Sequence, residues 1–342
     1  MNWNEGYKAS YRLYSVDQRT WSDSERVYGL QSANVESDLS KELVQSGSIK
    51  VELPVGESFE RGYYRLVMVT EQNGGLERFD ISTLYYATST RNVSNGSATF
   101  PLVGRSVLYP ASRRKMLVGS YAPIGVDGAA YAADLLSTAV AAPVMVDGGF
   151  TLDEHLVFDV GVTVLKAALT VLQTGGYMLS VDGSGTVTVR QVPDRPREDV
   201  GNIVELVMPT VSDTFDTAEV PNQYTAIDNS QSVTVTNDDP NSETSTVSKG
   251  YEDDVVDTAP KRVNGETLTH YATRRLYELS IVKRPYTYQR EYDDDVLVGD
   301  VMPVTLNGEH VTLRSTRQSL NCSENGIIVS ETAEMEVPTW QG

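Results

Sequence analysis

A single cysteine, Cys322, stands among 342 residues. One thiol excludes an intrachain disulfide framework, a CxxC zinc site and an iron–sulfur cluster built within one chain. Histidine is almost as scarce. His155, His270 and His310 lie far apart in sequence, which argues against a histidine-rich metal site. Bases fall well short of acids, 28 against 47, for a net charge of −19. Proteins that coat nucleic acid neutralise phosphates with Lys and Arg, so that class is excluded. An anionic membrane surface is equally unsuited as a partner. No run of about 18 consecutive apolar residues is present, so no membrane-spanning helix is expected. The opening MNWNEGYKAS has no basic stretch leading into an apolar run, so no signal peptide is expected either.

Catalytic signatures are missing too. There is no GxxxxGK[ST] phosphate loop, no HExxH and no GxSxG nucleophile elbow. Asp182-Gly183-Ser184-Gly185 begins like a calcium loop. The twelfth position is Pro193, where such a loop needs a bidentate Glu, so the run reads as a hairpin turn. Asp293-Asp294-Asp295 reads as a loop or a charged strand edge rather than a cation site. Asp153-Glu154-His155 has no partner group near it in sequence and reads as a surface strand end. No catalytic residue, cofactor or metal is assigned.

What is present is length, tyrosine and unevenly placed charge. A chain this long predicts two or three domains. Tyrosine dominates the aromatics, with 19 Tyr against 6 Phe and 3 Trp, which suits sheet surfaces and partly polar interfaces. Residues 1–117 carry a net charge of +1, 118–197 carry −4, and 258–342 carry −3. Residues 198–257 hold 14 acids and one base, Lys249, for a net charge of −13.

The pattern along the chain is β, then α+β, then β again. In residues 1–117 the period-2 segments Tyr7–Tyr14, Ser48–Leu53, Tyr63–Val69 and Phe79–Tyr86 predict strands, with Asn73-Gly74-Gly75 as a turn. Residues 118–197 change character. Gly128–Ala142 is Ala/Leu-rich and stopped by Pro143, and Val160–Thr174 repeats apolar residues at helical spacing before Gly175-Gly176. Tyr177–Val181 and Thr186–Arg190 then predict a hairpin. Residues 198–342 return to strands at Asn202–Val207, Gln231–Thr236, Tyr286–Tyr292, Asp300–Leu306, Val311–Thr316 and Ile327–Glu334. One helix is expected over Glu266–Ser280.

The serial order of short motifs resembles the tail hub proteins of bacteriophages, which include myophage baseplate hubs and the tip hubs of long noncontractile tails. Tyr11-Arg12-Leu13-Tyr14-Ser15-Val16-Asp17 with Thr20-Trp21, then Val35–Asp38 and Gly47–Val51, are similar to the first barrel of such hubs. Asp134-Leu135-Leu136, Phe158–Leu165 and the hairpin Gly176-Tyr177 to Val187 resemble their small α+β domain. Asp213–Asp216, Val220–Tyr224, Asn237–Ser242, Ala272–Leu276 and Gly299-Asp300-Val301 follow in the order seen in the family.

The resemblance implies a β-rich α+β fold. Two tail-tube-like antiparallel β-barrel domains, residues 1–117 and 198–342, flank a small α+β domain, residues 118–197, with interlocked boundaries. It implies a structural, noncatalytic homotrimer in the virion tail tip or baseplate. Such a ring joins the sixfold tail tube to the threefold tip. The expected partners are a tail tube or distal tail protein, a tape-measure protein, and tip or fibre proteins. DNA passes through the channel without specific binding. An acidic wall lets a polyanion slide. Asp213, Asp216, Glu219, Asp238, Asp239, Glu243, Asp253 and Asp254 are therefore the candidates for facing the lumen or its rim, with Arg113-Arg114-Lys115 turned toward protein neighbours. Two other function classes stay open on sequence alone: a cell-wall-degrading tail enzyme using Asp or Glu, and a carbohydrate-binding β-module using exposed Tyr.

Overall fold

The computed structural model describes residues 7–94, 96–193, 212–213, 216–228, 231–260, 266–306, 309–323 and 326–341. The chain forms two compact units. One holds Met1–Thr210 and Tyr288–Thr332, the other Val211–Thr287 and Ala333–Gly342.

The first unit opens with eight strands: β1 (Lys8–Val16), β2 (Asp23–Val27), β3 (Leu30–Asp38), β4 (Gln45–Pro54), β5 (Gly62–Gln72), β6 (Gly75–Ser89), β7 (Asn92–Ser94) and β8 (Ser97–Ser106). They pair antiparallel in the order β3-β4-β8-β6-β5-β1-β2, with β7 on β8. The period-2 reading is visible in β8, where Ala98, Phe100 and Leu102 point inward while Pro101, Val103 and Arg105 are exposed. Asn73 and Gly74 both take positive φ, +52° and +81°, which gives the two-residue turn joining β5 to β6 a twist matching the strands.

The α+β module follows within the same unit. It contains α1 (Tyr109–Arg113), β9 (Ser120–Ala122), α2 (Gly128–Ser137), β10 (Val144–Asp147), β11 (Leu156–Phe158), α3 (Val164–Thr174), β12 (Tyr177–Val181) and β13 (Val187–Gln191). Asp127 starts α2 by accepting hydrogen bonds from the amides of Ala129 and Ala130. The helix ends at Ser137, five residues before the sequence pattern does. The hydroxyls of Ser137 and Thr138 bond back to the carbonyls of Ala133 and Leu135, competing with helix continuation. α3 begins at Val164 rather than Val160. Gly161 sits at φ +92°, and Thr163 supplies the cap to the Lys166 amide. Leu136, Leu165 and Leu172 are fully buried, and each contributes about 2 kcal/mol.

The expected hairpin is present, and its tip is a fastening point. β12 and β13 pair antiparallel, and β10 joins β13 in parallel. At the turn, the carbonyl of Ser184 accepts from Arg65 Nη2 at 2.9 Å and from Trp21 Nε1 at 2.9 Å. The carbonyl of Gly183 accepts from the Thr83 hydroxyl at 3.0 Å. Arg65 is buried and is neutralised by Asp23 at 2.9 Å. Only glycine fits at 183, because a Cβ there would lie 1.6 Å from the Asp80 carbonyl oxygen. The Asp182–Gly185 run is thus a docked turn.

The second unit carries β14 (Ser212–Asp213), β15 (Gln223–Asp228), β16 (Gln231–Thr236), α4 (Thr246–Lys249), β17 (Asp254–Asp257), α5 (Leu268–Leu279) and the first part of β18 (Ile281–Glu291). β15 is central in a three-stranded sheet, antiparallel to β16 and parallel to β17. Tyr224, Ala226, Leu268, Tyr271, Ala272 and Leu276 form its core. The expected strand at Asn202–Val207 lies outside the described residues.

The chain then returns to the first unit through β19 (Val301–Leu306), β20 (Glu309–Ser323) and the first part of β21 (Gly326–Pro338). β20 pairs antiparallel with β3, Leu320 opposite Val35. Residues from the two ends of the sequence therefore share one sheet. Arg190 on β13 ties the α+β module to this return segment, with Nη1 2.5 Å from Asp300 and Nη2 bonded to the Val298 carbonyl. The described residues are mostly strand with few helices, as the sequence implied.

Candidate functional site

The acidic residues singled out from sequence are brought together by one topological fact. The central β15 pairs antiparallel with β16 on one side and parallel with β17 on the other. The start of β15, the end of β16 and the start of β17 therefore lie at the same end of the small sheet. Asp216 and Glu219 precede β15, Asp238, Asp239 and Glu243 follow β16, and Asp253 and Asp254 open β17. Asp216, Glu219, Asp238, Asp239, Glu243 and Asp254 are exposed, and Asp253 is half-buried. Asp213 lies apart from these turns, on β14, paired with Tyr286 of β18.

Neutral polar residues hold these turns in place. Asn222 and Asn237 are fully buried. Asn222 donates from Nδ2 to the Tyr251 carbonyl and accepts the Asp253 amide on Oδ1, while its carbonyl accepts the Asn237 amide. Asn237 in turn donates to the hydroxyls of Ser242 and Thr244. Lys249, the lone base of residues 198–257, is spent internally. Its Nζ donates to the carbonyls of Ala218 and Val220 at 2.9 and 2.8 Å and lies 3.6 Å from the Asp253 carboxylate. The sequence assigned no structural role to Asn222, Asn237 or Lys249, although all three lie in stretches it marked. The parallel β15–β17 pairing that makes them neighbours leaves no local signal.

At the opposite end of the sheet, Asp257 accepts hydrogen bonds from the hydroxyls of Tyr271 and Tyr224 at 2.7 and 2.9 Å. The Tyr271 bond, followed by the Ala259 amide, holds its carboxyl below the ordinary carboxylate range.

The remaining sequence candidates lie elsewhere. Arg113, Arg114 and Lys115 are exposed at the end of α1. Asp293 accepts the Asp295 amide in a local turn. His155 stacks edge-on against Tyr121 and accepts the Ile124 amide. Among the described residues, no three His, Cys, Asp or Glu side chains are grouped to hold a metal ion. No helix among them is long and apolar enough to cross a membrane.

No protein-family model and no curated protein matches the sequence. Solved structures do match it. A tail protein from Neisseria meningitidis MC58 aligns over 97% of both chains, with a TM-score of 0.63 at 14% identity. The fold is that of phage tail proteins. The 43 kDa tail protein of prophage MuSo2 from Shewanella oneidensis aligns over 97% of this chain and 98% of its own, with a TM-score of 0.61 at 12% identity. Prophage tail protein gp18 from Listeria monocytogenes EGD-e covers 95% of this chain and 94% of its own at 7% identity, with a TM-score of 0.54. Within this fold, that sheet end gathers Asp216, Glu219, Asp238, Asp239, Glu243, Asp253 and Asp254.

Proposed function

We propose that the chain is a structural, noncatalytic hub component of a phage tail or tail-like machine. Three copies form a ring at the tail tip or baseplate, joining a tail tube or distal tail protein to tip or fibre proteins, with a tape-measure protein and then DNA inside. In this reading residues 1–117 and 198–342 supply two tube-like barrels per copy, interlocked through the β20–β3 pairing, and residues 118–197 are the small domain between them. The observation that carries the reading is a likeness to tail proteins that spans almost the full length of both chains.

The acid-bearing end of the small sheet faces the bore in this proposal. Lys and Arg would hold DNA through counterion release, whereas carboxylates repel it. Screening limits the effect to about 8 Å at physiological salt, so only acids lining the bore act on the passing strand. The decisive measurement is the mass of the purified protein by light scattering, followed by a density map of the assembled particle. Trimer mass, with several of the eight named acids on the inner wall, is the expected result. A stable dimer, or a bore lined by Lys and Arg, refutes it. Hydrolysis of purified peptidoglycan by the chain would refute the noncatalytic role.

A further inference from the structure

The α+β module exposes an apolar ribbon. Residues 115–122 and 156–163 run antiparallel, with Tyr121 opposite Val157, Lys115 bridged to Thr163, and the Met116 amide bonded to the Val162 carbonyl. The inward side is conventional: Ala122 and Phe158 enter the core. The outward side is not, because Leu117, Val118, Tyr121, Val157 and Val160 are 56–86% exposed. Scattered surface hydrophobics need no explanation, but five on one short ribbon mark a contact surface. Arg113, Arg114 and Lys115 adjoin one end. Asp159 lies on the ribbon, and Asp153 and Glu154 lie beyond its far end, so positive charge is concentrated at the α1 end.

The chain also carries a surface of opposite kind. The acid-bearing end of the small sheet exposes two large apolar side chains, Val247 at 61% and Tyr251 at 53%. A two-fold contact centred on either surface alone would set the basic end of one ribbon, or the acidic end of one sheet, close to its own like. A head-to-tail contact sets apolar on apolar and basic on acidic. Contacts of that heterologous type close into rings where the rotation between copies closes, and grow into open filaments where it does not.

We propose that the ribbon, with Arg113, Arg114 and Lys115, docks on the acidic sheet end around Val247 and Tyr251 of a neighbouring copy. This deepens the ring reading and rests on it. Acids not covered by the contact remain to line the bore.

The test uses the full chain and light scattering. Wild type is expected to give trimer mass at about 0.05 M salt and to shift toward monomer near 1 M, where the screening length falls to about 3 Å. Val157→Asp with Leu117→Asp should give monomers with unchanged circular dichroism. Arg113→Glu with Arg114→Glu, and separately Asp239→Arg with Glu243→Arg, should each weaken association at least tenfold. The four charge reversals in one chain should restore it. A trimer that survives the ribbon variants overturns the docking and leaves the ring standing. A dimer dissolved by Val157→Asp places the ribbon in a two-fold contact and overturns both. A wild type that stays monomeric at hundreds of micromolar overturns the docking, and the symmetry of the assembled particle then decides the ring.

Discussion

Glu331 is the most informative single position in the first unit. It is fully buried and serves three donors: Arg290 Nε at 2.5 Å, Ser315 Oγ at 2.5 Å and Gln318 Nε2 at 3.0 Å. Arg290 is itself 2% exposed, and its Nη1 also donates to the Glu291 carbonyl. Changing Glu331→Gln keeps the shape and removes the charge, taking from a buried guanidinium the carboxylate bonded to it. Breaking a buried pair from one side costs about 3–5 kcal/mol. At about 2–4 °C per kcal/mol for a unit of this size, the melting temperature should drop by about 6–20 °C. Calorimetry on the full chain reads this as a shift in the transition of the first unit, with that of the second unit unmoved. The companion variant is Arg290→Met with Glu331→Leu. It removes both charges together, so it should recover at least about 2 kcal/mol of the loss, although Ser315 and Gln318 forfeit an acceptor. A Glu331→Gln loss under about 1 kcal/mol would refute the reasoning, as would a double variant worse than the single one.

Three further outcomes follow from local geometry. Gly183→Ala should cost about 1–3 kcal/mol, because its Cβ meets the Asp80 carbonyl; thermal melting near wild type would mean that the docked turn relaxes freely. Burial pushes the Cys322 thiol up to about 12, so iodoacetamide should label the native chain about a thousandfold more slowly than an ordinary thiol near 8.5, with normal rates regained in guanidinium; fast native labelling would contradict this. Asp257→Asn should destabilise the second unit by about 1 kcal/mol near neutral pH. The folded-state carboxyl titrates below the unfolded one, so that contribution is complete above about pH 4 and vanishes as pH falls through the folded value; an equal loss at acid and neutral pH would count against it.

Sequence reasoning succeeded where the chain's own period carries the information. Ile49-Lys50-Val51 of β4 alternates, β5 is a continuous buried run, the α3 stripe is regular, and the hairpin has its Gly-rich turn, so each was legible. Helix ends were less so. Ser137, Thr138 and Thr163 act through side-chain bonds to the backbone, which a hydrophobic stripe does not register. Long-range pairing was illegible altogether. Nothing near Leu320 announces Val35 as its partner, and nothing near Asp254 announces a parallel partner at Gln223. The acid cluster shows both sides of this. Its charge was plain in the composition of residues 198–257, but its convergence on one sheet end depends on the β15–β17 pairing.

That convergence has an energetic consequence. Six exposed carboxylates of the named set, with exposed Glu252 and the half-buried Asp253 beside them, share one end of a small sheet, and Lys249, the one base of residues 198–257, is turned inward on backbone carbonyls. Two like charges about 8 Å apart repel by about 0.5 kcal/mol in water, so several neighbouring pairs should cost the second unit about 2–3 kcal/mol at low ionic strength. Salt screens that repulsion. The second unit should therefore gain stability as sodium chloride rises from about 0.05 to 1 M, against the usual trend for surfaces held by ion pairs. Calorimetry of the full chain across that range measures it, and Asp238→Asn with Asp239→Asn should flatten the slope. A unit that loses stability with salt, or a neutralised variant with an unchanged slope, would mean that these carboxylates do not act on one another. They would then be separate solvated side chains, and the charged surface on which the bore and the docking both depend would not exist.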